Sequence, residues 1–160
     1  MIQLFETMKS ALERRENVVL CSILASSGSA PRGAGAKMAV FQNGQALGTI
    51  GGGAVERIAA RQAMDLFRTG ASYCQAFCLA PNQVNDIGMI CGGNVTVYFR
   101  FFDHENARDL ELIRTILELL ASGQDAWLIS RMEGGKITAM GTFDEAHGLR
   151  SVSYTHLRAH

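Results

Sequence analysis

An α/β fold, with a mixed β-sheet, about three covering helices and Gly-rich ligand loops, is what this 160-residue sequence predicts. Three observations carry that expectation. Apolar residues recur at helical spacing in three separate segments, and strand-length apolar runs lie between them. Eight of the 17 glycines fall between Gly28 and Gly53, a density foreign to helix or strand. A chain of this length buries roughly two-thirds of the surface its unfolded form exposes, so a core needs neither disulfide nor metal.

Leu4, Phe5, Met8 and Leu12 share one helical face and predict a helix over 2–15, closed by the charged run from Glu13 to Glu16. Residues 18–25 form a continuous apolar run rich in β-branched side chains, the pattern of a buried strand. Two short strands, 37–42 and 46–50, flank Asn43-Gly44, a strong hairpin signal because both residues tolerate positive φ. A helix over 54–69 follows Gly51, Gly52 and Gly53 directly, with Val55, Ile58, Ala59, Ala63, Leu66 and Phe67 at helical period and Gly70 placed as its C-cap. Residues 73–79 read as a strand, 80–93 as a polar loop, and 94–102 as a long strand with Val95, Val97 and Phe99 on one face. Asp103 or Asn106 caps a helix reaching Ser122, with Leu110, Ile113, Leu117 and Leu120 as its buried stripe. Strands 127–132 and 136–143 then pair through Glu133-Gly134-Gly135. Residues 1–150 are read as one domain, and 151–160, which continue neither period, as a disordered or artefactual tail.

Fifteen Lys plus Arg balance fifteen Asp plus Glu, which argues against nucleic-acid or membrane-surface partners recruited by bulk charge. Any anion site must be local. No stretch approaches the ~20 apolar residues of a membrane span, and the amphipathic N-terminus lacks the form of an export signal. Four cysteines at irregular spacing suit a reducing cytoplasm. Cys21, inside an apolar run, reads as a small buried hydrophobe, and Cys74 with Cys78 lacks zinc-ribbon spacing. His104 and His147 have no nucleophile motif placed to match them, so no triad is expected.

Chemistry concentrates in three places. The segments 28–38 and 48–56 hold the clustered glycines, and a glycine loop feeding a helix N-terminus aims several backbone donors at one point, where a phosphate or other anion would sit. Arg32 and Lys37 add positive charge to the first segment. Glu56, just past the triple glycine, is either beside the ligand or a capping residue that contacts its own helix start. Cys91, flanked by Gly92 and Gly93 at a strand mouth, is either a ligand-facing thiol or a small hydrophobe. Neither glycine segment fits a standard nucleotide loop.

In order, GSAPRGAGAKM (28–38), GTIGGGAVE (48–56) and CGGNVTVYFR (91–100) resemble the N-terminal domain of the XdhC/CoxI family, the xanthine dehydrogenase accessory proteins, over about residues 5–130. The resemblance implies a cytoplasmic, non-enzymatic chaperone that binds the molybdenum cofactor (molybdopterin) as cargo, protects it and supports its sulfuration by a cysteine desulfurase. Insertion into a xanthine dehydrogenase-type molybdenum hydroxylase follows, with a homodimer left open. Carried over by motif are Ser29, Pro31, Arg32 and Gly35, then Gly51, Gly52, Gly53 and Glu56, then Cys91, Gly92 and Gly93, with Lys37 added for its charge and Cys91 placed near the metal. On this resemblance the family's C-terminal Rossmann-like domain is expected to lie outside these 160 residues. The alternative is an oxidoreductase or other enzyme acting on a dinucleotide or phosphorylated small molecule, with Glu56 as general base and Arg32 on the phosphate. That alternative expects a Glu56 pKa raised well above the ordinary value.

Overall fold

Strand β1 (Val18–Gly28) sends Val18 and Leu20 to one face of its sheet and Val19, Cys21 and Ile23 to the other, and this alternation sets up three layers. The computed structural model describes residues 1–28, 33–78 and 93–155. Around β1 stand α1 (Ile2–Glu13), β2 (Lys37–Phe41), β3 (Ala46–Gly48), α2 (Gly53–Thr69), β4 (Tyr73–Cys78) and β5 (Gly93–Phe102). After them come α3 (Ala107–Ser122), β6 (Ala126–Glu133), β7 (Lys136–Asp144) and β8 (Gly148–Tyr154). The sheet runs β3-β2-β1-β5-β4-β7-β6, and β8 pairs with β7.

One layer packs α1 and α3 on the sheet through Leu4, Phe5, Met8, Leu12, Leu112 and Ile113, which meet Leu20, Ala39 and Phe102. The other packs α2 through Val55, Ala59, Ala63 and Leu66 against Val19, Cys21, Val40, Val97 and Phe99. Gly70, the glycine cap expected in sequence, ends α2 in the left-handed conformation at φ 66°, and Gly123 ends α3 in the same way at φ 66°. Asn106 caps α3 by accepting the Arg108 amide at 3.2 Å. Gly134 and Gly135, at φ 56° and 75°, make the two-residue turn between β6 and β7.

The α/β class with three helices stands. Where a mixed sheet is expected, every pairing among the described strands is antiparallel. The reason lies in the helical connections: α2 joins β3 to β4 and α3 joins β5 to β6, and neither pair of strands is adjacent, so neither helix sets two parallel strands side by side. The β2–β3 turn also differs in detail. Gly44 takes φ 82° and donates to the Phe41 carbonyl at 2.9 Å, while Asn43 keeps a negative φ, as in a type I turn closed by a glycine.

Two further expectations are corrected. The stripe of α3 is turned by about one residue, so that Leu112, Ile113, Ile116 and Leu119 are buried and Leu110, Leu117 and Leu120 only partly so. The cause is Asp109, drawn inward to a buried Arg100. Residues 151–154, read from sequence as part of a disordered tail, complete β8, whose Ser153 joins that same buried group. Residues 156–160 lie outside the described residues.

The sheet curls. Although β4 and β7 separate β6 from β5, the Tyr98 hydroxyl reaches Ser130 Oγ at 2.6 Å and Cys74 Sγ reaches Met132 Sδ at 3.4 Å. Strand β6 therefore folds back over the face of β5 and β4.

Candidate functional site

The hairpin of β2 and β3 brings the two glycine segments into contact. Met38 pairs with Gly48, and the Thr49 amide donates to the Lys37 carbonyl at 3.0 Å. Gly48 makes this approach possible: it sits at φ 89°, and a Cβ there would stand 2.5 Å from the Lys37 carbonyl oxygen. The first segment is tied down in turn to β1, with the Gly35 amide donating to the Ile23 carbonyl at 2.8 Å and the Ile23 amide to the Ala36 carbonyl at 2.9 Å.

Gly51, Gly52 and Gly53 all take positive φ, at 134°, 84° and 56°, and so curl the backbone into a concavity before α2. The Glu56 side chain fills it. Its Oε1 accepts the Gly52 amide at 2.8 Å and the Ile50 amide at 3.1 Å, and also takes the Thr49 hydroxyl. Burial works to raise the Glu56 carboxyl, but hydrogen bonds from Thr49, Gly52, Ile50 and Gly51 outweigh it and hold the group below its ordinary value. The donors that a phosphate would use are thus turned onto an internal carboxylate. Of the two readings of Glu56, the capping contact is the one the geometry makes, and the raised pKa wanted by a general base is absent.

Lys37 follows a different course. On β2 it shares the parity of Ala39 and Phe41, which face α1 and α3, so its side chain lies on the sheet face opposite α2 and Glu56. Its amine donates to the Gly35 carbonyl at 3.1 Å, and burial lowers its pKa. Gly93 opens β5 directly opposite Gly28, so the first and third motifs meet at one end of the β1–β5 pair. Ser29, Pro31, Arg32, Cys91 and Gly92 lie outside the described residues. Of the remaining expected site residues, Gly35, Gly51, Gly52, Gly53 and Glu56 cluster around the β2–β3 hairpin and Lys37 points away from Glu56. Among the described residues no group of three His, Cys, Asp or Glu could hold a metal ion, and no helix is long and apolar enough to cross a membrane.

Two polar groupings escaped the reading of the sequence. Arg100, 2% exposed, pairs with Asp109 at 2.6 Å and reaches Ser153 at 3.2 Å, joining β5, α3 and β8. Burial pushes the Asp109 carboxyl up, against the pull of Arg100, Ser153 and the Asp103 amide. A charge inside the apolar run of β5 was the available signal. The second grouping, Tyr98 with Ser130, had none, because only the curl of the sheet brings β6 to β5.

Comparison with known proteins places this geometry. No curated protein matches the chain. A solved structure described as a xanthine dehydrogenase from Bacillus halodurans is similar with a TM-score of 0.76 at 18% identity, over 99% of this chain and 46% of that one. At that identity the likeness is one of fold, and this chain spans less than half the length of that protein. Residues 11–77, which contain the first two motifs, carry the pattern of the XdhC and CoxI family, and the resemblance to that family is borne out there.

Proposed function

We propose that this chain acts as an accessory protein that binds the molybdenum cofactor (molybdopterin) as cargo, protects it, supports its sulfuration and delivers it to a xanthine dehydrogenase-type molybdenum hydroxylase. The observation that carries this reading is the family match over 11–77, which spans both glycine segments and the hairpin that joins them. A chaperone must hold its cargo reversibly, and loops set on a rigid sheet suit that task. In this reading Arg32, with Ser29, Pro31 and Gly35, meets the anionic side of the cofactor, Cys91, Gly92 and Gly93 face its metal, and Glu56 sets the shape of Gly51–Gly53 by holding the amides of Ile50 and Gly52 from within. Lys37 contributes through its backbone, which anchors Thr49. The cysteine desulfurase, the client hydroxylase and a homodimer are the partners this role calls for.

The test is transfer. Protein loaded anaerobically with molybdenum cofactor is mixed with cofactor-free xanthine dehydrogenase, and hydroxylase activity is followed. Activity that appears faster than with free cofactor supports delivery, and activity no faster than with free cofactor contradicts it.

A further inference from the structure

On the sheet face opposite Glu56, one transverse row of side chains crosses four strands. Ser22 on β1 stands directly opposite Lys37 on β2 and Tyr98 on β5, and Tyr98 in turn opposite Cys74 on β4. Directly opposed side chains of neighbouring strands lie within contact range of one another. The row falls just beyond the core under α1 and α3, where β6 folds over it: Ser130 meets the Tyr98 hydroxyl at 2.6 Å and Met132 meets Cys74 at 3.4 Å.

Between row and flap lies a cleft of about 270 Å³. Its floor is Ser22, Lys37 and Tyr98, its roof Leu128, Ser130 and Met132. The β1–β5 register slips between Ile23 and Ala25, leaving Leu24 without a cross-strand partner at the mouth of the cleft. Leu24 and Met132, 48% and 42% exposed, add apolar surface to the lining of the cleft. Lys37 donates to Gly35, which also lines the cleft, and among the described residues no carboxylate faces the amine.

We infer that this cleft is a binding site for a small organic monoanion, a carboxylate carried on a flat apolar body. The carboxylate pairs with the Lys37 ammonium, the Tyr98–Ser130 hydroxyl pair supplies one further donor, and the apolar body lies between Leu24, Leu128 and the thioether of Met132. Burial keeps the Tyr98 phenol protonated by pushing it up to about 12, so the pair retains both its protons at neutral pH. One cation among apolar walls matches a single negative charge better than a phosphate dianion, which draws several donors. The site lies on the opposite face from Gly51–Gly53 and stands whether or not the chain carries a molybdenum cofactor.

Benzoate is the probe, with benzamide as its neutral counterpart, each titrated into the full chain by calorimetry and by amide chemical shifts. Benzoate saturates and shifts the amides of 22–24, 35–37 and 128–132; benzamide binds at least roughly tenfold more weakly. Lys37→Met weakens benzoate by a similar factor and leaves benzamide unchanged, while Tyr98→Phe has a smaller effect on benzoate. If Lys37→Met fails to fold, the benzoate–benzamide comparison on the unaltered protein decides alone. Equal binding of the two probes, shifts confined to other parts of the sheet, or no saturation by millimolar benzoate overturns the inference.

Discussion

Oε1 of Glu56 accepts the amide of Gly52 at 2.8 Å, four residues back along the chain, so the helix that follows the triple glycine supplies the anion for its own N-terminal concavity. The same oxygen holds the Ile50 amide. Removing its charge tests this directly. Glu56→Gln should cost about 1–2 kcal/mol of stability at neutral pH, because charge-assisted acceptance from two amides is weakened. The folded carboxyl titrates below its ordinary value of 4.5, so its stabilisation is complete above that value and is lost as pH falls through the folded pKa. Urea melts at neutral pH and in acid should show the gap between the two proteins wide at the first and narrow at the second; a constant gap would mean that the charge is not what matters.

Gly48 and Gly44 both take positive φ, yet only Gly48 is crowded, with a Cβ at 2.5 Å from the Lys37 carbonyl and none within reach at Gly44. Gly44→Ala should cost roughly 1–2 kcal/mol, the conformational term alone. Gly48→Ala should exceed it by at least about 1 kcal/mol, because backbone must move as well. Thermal unfolding of both variants measures the difference, and equal losses would show that the Lys37–Thr49 junction yields easily.

Arg100 and Asp109 are both almost wholly buried, at 2% and 1% exposure, and hold three elements together. Arg100→Met leaves the Asp109 carboxyl without its cation and should destabilise by about 3–5 kcal/mol. Pairing it with Asp109→Leu should recover a large part of that loss, since two apolar side chains no longer bury a lone charge. Denaturant unfolding of the single and double variants gives the coupling; a double variant as unstable as the single one would locate the effect in packing instead.

What the sequence revealed and what it concealed divide along local and non-local physics. The faces of α1, the caps at Gly70 and Asn106 and the turn at Gly134-Gly135 depend on residues a few positions apart, and all are legible. The rotation of α3 depends on Arg100 meeting Asp109 across the fold, and β8 forms on β7 although its own residues show no strand period. The two glycine segments meet because the Asn-Gly hairpin between them is itself a local signal. That their donors turn inward onto Glu56 was one of two open readings, since periodicity fixes where a carboxylate sits along a helix and not which way it reaches. The cleft over Ser22, Lys37 and Tyr98 needed the curl of the whole sheet.

Whether the glycine segments serve a cofactor is decided by anaerobic titration of the purified chain with molybdenum cofactor. Binding should be saturable and weakened roughly tenfold by Arg32→Ala, as expected for loss of a charge-assisted contact to an anion. Folded protein that binds no cofactor, or binds it equally well with Arg32→Ala and Cys91→Ala combined, would contradict it.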